Sequence, residues 1–301
     1  MSASSTKVIY AALIGNFLIA CIKFIAASIT GSSAMLSEGI HSVVDTGNQI
    51  LLLYGLKRAK RPADKRFPFG HGKEVYFWSF VVAILIFAVG AGVSIYEGVH
   101  RILNPSVIEN ITVNYIVLAL AFVFEGAAWL FALREFKLQK GKWGYLEAVH
   151  RGKDPSIFLV LFEDSAAMSG LLVAFIGVFL TQVTGILIFD GIASVLIGII
   201  LAITAMWLAY ETKGLLIGES ANADVVSKIE ELAKEHHAIE YVNEILTMHM
   251  GPDYILVNLS VNFMDAAVAD DIELAIDSLD KEIKAVFPKV KRIFIEAERR
   301  H

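Results

Sequence analysis

The chain has 301 residues, 56% hydrophobic and 19% charged, with a formal net charge of −5 and a mean hydropathy of +0.60. That apolar excess is too high for a soluble domain of this size and indicates a polytopic membrane protein. The lone cysteine, Cys21, excludes an intrachain disulfide and a Cys-rich metal motif, and reads as a small apolar packing residue.

Six apolar segments follow one another, at about 8–29, 34–56, 75–96, 112–133, 156–181 and 186–210. Each is near or above the roughly 20 residues that a helix needs to cross a bilayer. The leading MSASSTK has no basic region followed by a cleavage motif, so the first segment is expected to be retained. The connection between the second and third segments, KRAKRPADKRFPFGHGKE, holds seven Lys or Arg. The one between the fourth and fifth, REFKLQKGKWGYLEAVHRGKDP, holds six, whereas the other three connections together hold only Arg101. The positive-inside rule then expects both basic loops and both termini in the cytoplasm, of a bacterial inner membrane or of an organelle. Such loops are a topology signal first and an anionic-lipid contact second; nucleic-acid binding has no support.

After about Thr212 the composition becomes charged. ADVVSKIEELAKEHH reads as an amphipathic helix, YVNEILTMHMG and DYILVNLSVNF as two strands around a Gly-Pro turn, DDIELAIDSLDKEIKAVFP as a second helix and KRIFIEAE as a last strand. The order α-β-β-α-β predicts a small α+β domain with helices on one face of a three-stranded sheet. The chain therefore divides into a membrane part, residues 1–212, and a soluble part, residues 213–301, of a size able to fold independently.

Ionisable groups inside a bilayer cost roughly 2.5–3.5 kcal/mol each at mid-helix on insertion scales, and they mark ion or proton pathways. Here His41 and Asp45 sit four residues apart in the second segment, on one helical face. Glu163 and Asp164 lie in the fifth. At 1.5 Å per residue, Asp45 and Asp164 come within roughly 5 Å of one depth. Imidazole nitrogen with carboxylate oxygens suits a first-row divalent ion, and tetrahedral zinc needs about four donors. His41, Asp45 and Asp164 supply three; the fourth is Glu163, water or the exchange partner of a transported ion. Glu163 lies about 100° around its helix from Asp164, so it is either a ligand or the partner of another buried group. The alternative for His41 and Asp45 is a structural hydrogen-bonded pair. Lys23 is expected to pair with Glu38 or to snorkel outward. Glu125 and Asp190 read as relay carboxylates or helix-to-helix hydrogen-bonding groups, with an N-cap of the sixth helix as a further reading of Asp190. No phosphate loop, nucleophile elbow or nucleotide fingerprint supports an enzyme or an organic cofactor.

TGSSAMLSEGIHSVVDTGNQ, FPFGHGKE, LFEDSAAMSG, DGIASVLIG and the α-β-β-α-β tail together resemble the cation diffusion facilitator family of metal-ion/proton antiporters, over essentially the whole chain. The resemblance implies six transmembrane helices, a cytoplasmic ferredoxin-like domain, a homodimer, and a transport site onto which His41, Asp45 and Asp164 map. It implies proton-coupled efflux of a divalent transition metal, Zn²⁺ first, with Mn²⁺, Co²⁺, Ni²⁺ or Fe²⁺ as alternatives. A non-transporting membrane scaffold is the rival reading. The fifth-helix His-x-x-x-Asp of many members is incomplete, because Val160 stands four before Asp164, and Glu163 is the compensator. The chain is similar in this to the zinc transporter branch that lacks the fifth-helix histidine. Asp64 and His71 fit the outer positions of a second, loop site whose middle position is Phe67. In the tail, His236, His237 and His249 are present, but Asn258, Glu296 and Glu298 stand at positions that often hold metal ligands.

Overall fold

The computed structural model describes residues 3–108 and 110–299. All six apolar segments are helical. The first is α1 (Ala3–Thr30) and the second α2 (Ser33–Ala59). The third is a continuous rod, α3 (Glu74–Leu85) and α4 (Gly92–Leu103) joined by a π-helical turn at Ile86–Ala91. The remaining three are α5 (Ile111–Lys140), α7 (Pro155–Thr184) and α8 (Ile188–Ile217), with a short helix α6 (Tyr145–Arg151) inside the second basic loop. Among the described residues, four helical stretches are long and apolar enough to cross a membrane: Glu74–Leu103, Ile111–Leu138, Phe158–Thr184 and Ile188–Ile217. In α2 the polar residues are turned inward, with Glu38, His41, Asp45 and Asn48 all buried. The outward faces carry Phe17, Phe87, Phe122, Phe131, Phe175 and Ile203, each more than 40% exposed. An apolar exterior around a polar interior is the inverse of a soluble bundle and suits a lipid solvent.

Local chemistry sets the helix ends. Gly31, at φ +66°, turns the chain out of α1, and Ser32 caps α2 by accepting from the Met35 amide at 3.2 Å. Asp154 caps α7 with Pro155 in the first turn, and Gly185, at φ +70°, ends it. Lys57 and Arg58 close α2 where cations favour the helix dipole. Helices α4 and α8 meet through glycine. A Cβ on Gly98 would lie 2.6 Å from the Val195 amide nitrogen, and one on Gly198 3.0 Å from the Ala91 carbonyl oxygen, so only glycine permits this approach.

Of the readings open to Asp190, the structure shows helix-to-helix hydrogen bonding rather than the N-cap. The first turn of α8 has no side-chain cap; its Asp190 carboxylate reaches across to the start of α2 instead. It accepts from Ser32 Oγ at 2.6 Å, from Ser33 N at 2.6 Å and from Ser33 Oγ at 2.9 Å. Arg101, whose guanidinium also donates to the Gly31 carbonyl, stands 3.6 Å away. A carboxylate thus satisfies amide donors at the positive end of α2, from another helix.

The soluble part holds α9 (Ala223–Glu235), β1 (Ile239–Gly251), β2 (Tyr254–Phe263), α10 (Ala269–Val286) and β3 (Val290–Ala297). The sheet order is β1-β2-β3. The β1–β2 hairpin is antiparallel, running from Ile239 opposite Phe263 to Gly251 opposite Tyr254, and β3 joins β2 in parallel after the α10 crossover. Alternate β2 residues Val257, Leu259 and Val261 are fully buried with Ile229 of α9 and with Leu279 and Ile283 of α10, which builds one apolar core. The expected α-β-β-α-β order holds. The two parts touch where Gly72 in the first basic loop lies against Gly251, and where Lys153 pairs with Glu219 at 2.5 Å.

Two outcomes follow. Asp190→Ala strips an anion from four buried donors, and its melting temperature in detergent should fall well below that of Asp190→Asn, at a cost of about 3–5 kcal/mol. His249 in β1 is 3% exposed, and burial, with the Lys153 ammonium second, pushes its imidazole down to about 4. An unfolded His binds its proton near pH 6.5, so between about pH 6.5 and 4 the unfolded state holds more protons and stability falls as pH drops. Thermal melts across that window should be flatter for His249→Gln.

Candidate metal centre

The second helix carries one face of polar groups because residues three and four apart stack on one side. His41 and Asp45 are 1% and 9% exposed, with Nδ1 and Oδ1 3.2 Å apart but not aligned as a hydrogen bond. One turn on, Asn48 Nδ2 donates to Glu163 Oε1 of α7 at 2.5 Å. Glu163 therefore faces α2 rather than turning away, with Asn48 as its hydrogen-bond donor. Asp164 opens onto a cavity of about 10 Å³, lined also by Asp45, Ser42, Asn16 and Glu125. That space holds about one water molecule or one dehydrated ion. The structure thus brings Asp45 and Asp164 to one chamber. Among the described residues no three His, Cys, Asp or Glu donors converge to ligating distance. Val160, four before Asp164, packs into the apolar core.

Behind the chamber lies the ion network of Lys23. Its ammonium is fully buried and donates to Glu38 at 3.0 Å, Ser42 at 2.9 Å and Glu125 at 2.7 Å. All three of its protons are used. The pairing with Glu38 was legible in the sequence; the tie to Glu125, 102 positions away on α5, was not, because helix periodicity carries no information between helices. Several buried polar atoms around this region have no hydrogen-bond partner: both His41 ring nitrogens, Asp45 Oδ1, Glu125 Oε2, Asn48 Oδ1 and Gln49 Oε1. Orphan groups of this kind are rare in a purely structural core and are expected where a ligand is meant to sit.

The loop pair has a different character. Asp64 Oδ1 accepts from the Arg66 and Phe67 amides at 2.8 Å each, and Oδ2 meets His71 Nε2 at 3.1 Å. The Phe67 amide first, and His71 next, hold this carboxyl below the usual Asp range. The Phe67 ring packs on the imidazole at 4.6 Å, so these residues form a clasp that shapes the loop. In the soluble part, His236 pairs with Glu282 at 3.1 Å, Ser260 donates to Glu298 at 2.5 Å, and His249 lies buried with Nδ1 unpartnered.

A helical bundle with an apolar outside and an ionisable, partly unsatisfied interior is an integral membrane protein. The chain matches the model of the cation efflux transmembrane domain over residues 9–217. It is 32% identical over 281 residues to the proton-coupled zinc antiporter SLC30A9, mitochondrial, of Xenopus laevis, covering 91% of this chain and 50% of the frog protein. Metal tolerance protein C4 of Arabidopsis thaliana is 30% identical over 86% of this chain and 57% of its own length. Manganese efflux system protein MneP of Bacillus subtilis (strain 168) is 24% identical over 97% of this chain and 95% of its own. The chain belongs to the cation efflux, or cation diffusion facilitator, family. It spans about half the length of the zinc antiporters that it matches.

Lys23→Met should destabilise the bundle by about 3–5 kcal/mol, because it leaves two buried carboxylates without their cation. Adding Glu38→Gln to that variant removes one of those charges and should restore part of the lost melting temperature.

Proposed function

We propose that this protein exports a divalent transition metal ion, Zn²⁺ first, in exchange for protons by alternating access. The observation that carries the reading is the chamber itself: Asp45 and Asp164, from two helices, face one ion-sized space next to buried His41. His41, Asp45 and Asp164 hold the ion, and Glu163 stands beside them in place of the histidine that Val160 removes. In this reading all six apolar helices cross the bilayer, with the basic loops, both termini and residues 213–301 in the cytoplasm. The soluble domain serves dimerisation, as in the ferredoxin-like tails that the resemblance implies.

Chemistry supplies the coupling. Metal ligands must be deprotonated, so ion and protons compete for the same atoms. In the inward-open state the carboxylates and a neutral imidazole take the ion from the cytoplasm; rocking of one helix group on another then exposes the chamber outward. Protons entering there displace the metal and return with the empty site. The described donors stand apart in this structure, so capture draws α2 and α7 together around the ion.

A manganese cargo has specific support as a second reading. Three of the four groups named, Asp45, Asp164 and Glu163, are carboxylates, oxygen donors suit Mn²⁺, and one relative is a manganese efflux protein. Purified protein in liposomes decides between the two. An imposed pH gradient should drive Zn²⁺ accumulation, and Asp45→Asn or Asp164→Asn should cut the initial rate at least tenfold. Preferential Mn²⁺ movement selects the second reading. If no divalent ion moves, or Asp45→Asn behaves as wild type, the chamber is not the transport site.

A further inference from the structure

The sequence left the fourth donor open, with Glu163 one candidate; in the structure Glu163 Oε1 accepts from Asn48, its carboxyl abuts Asp45, and Glu163 does not line the chamber. Another carboxylate does. We infer that Glu125 of α5 is a ligand of the transported ion, held in position by the Lys23 ammonium; this rests on the transport reading above and extends the site to a third helix.

Glu125 is the one α5 carboxylate on the chamber wall, opposite Asp45 of α2 and Asp164 of α7. Its two oxygens have different fates. Oε1 accepts from Lys23 at 2.7 Å, whereas Oε2 is buried with no hydrogen-bond partner. Asp45, on the same wall and 9% exposed, has its Oδ1 in the same condition. Two carboxylate oxygens without hydrogen-bond partners, from separate helices and beside Asp164, face a space of about 10 Å³ whose wall is dominated by acidic side chains. Three carboxyl groups on one small wall suit a divalent cation with oxygen preference.

Lys23 explains why the carboxylate stays in place without the ion. Its three protons go to Glu38, Ser42 and Glu125, so it has no donor left for Oε2. The ammonium fixes one oxygen and leaves the other free, as a neighbouring hydrogen bond commonly orients a metal-ligating carboxylate. Ser42 belongs to both the network and the chamber wall, so the two are contiguous. Capture then engages α5 as well as α2 and α7.

Zinc affinity of the full-length protein in detergent, read by competition with a fluorescent indicator, separates the possibilities. Glu125→Gln keeps an oxygen for Lys23 and leaves a balanced Lys23–Glu38 pair, so the bundle is retained while the ligand charge is lost. Binding should weaken at least tenfold. Glu38→Gln, which removes the other partner of Lys23 and lies off the chamber wall, should change binding no more than about threefold. Wild-type affinity in Glu125→Gln overturns the assignment. Equal losses in both variants also overturn it, because the effect would then run through Lys23 alone. Unchanged binding in Asp45→Asn instead brings down the transport reading on which it rests. Should Glu125→Gln not fold, Glu125→His offers a spectroscopic answer: zinc X-ray absorption should show two imidazoles rather than one, and a count that stays at one contradicts the proposal.

Discussion

The structure depends on an imbalance of buried charge. Among the described residues, Asp45, Glu125 and Asp164 line the chamber and Glu38 and Glu163 adjoin it, five carboxyl groups against the ammonium of Lys23. Charges at this depth are tolerated only when paired or neutralised. Lys23 accounts for Glu38 and Glu125 together only in part, and the three remaining acidic groups gather on one side of it. Protons or a divalent cation must make up the difference. A bundle that needs either of two positive species in one place has the physical requirement for exchanging them.

The scaffold keeps that imbalance from unfolding the bundle. Asp190 anchors the start of α2 from α8, and Arg101 ties the same corner to the α1–α2 turn. Glycines at 98 and 198 bring α4 and α8 to backbone contact. These contacts lie away from the chamber wall, so one part of the bundle is rigidly packed while the acidic groups of α2, α5 and α7 keep unsatisfied atoms. The basic loops end against the C-terminal part, at Gly72 and Lys153, which gives that part a direct mechanical connection to the N-terminal ends of α3 and α7.

Much of this was legible in the sequence. Apolar runs located all six helices, and alternating hydrophobicity located every element of the tail. The ends were harder, because apolarity marks bilayer depth rather than helix length: α5 continues through charged residues to Lys140 and α8 to Ile217. The candidate donors His41, Asp45 and Asp164 stood out because polar residues in apolar runs are conspicuous. What they face was not legible. Asp190 was open between a local cap, a relay and an interhelical bond, because its partners are 156 to 158 positions away. The helical angle between Glu163 and Asp164 left Glu163 open between two roles, and only the packing of α7 on α2 brings it to Asn48. Glu125 was one carboxylate without a partner in its own segment, and its connection to Lys23 exists only in the folded bundle.

Anomalous diffraction at the zinc edge from zinc-loaded protein tests the account most directly. One strong peak per chain is expected inside the bundle, with oxygens of Asp45 and Asp164 at about 2.0–2.2 Å. Peaks confined to the Asp64–His71 loop or to the soluble domain, with the chamber empty, would contradict it.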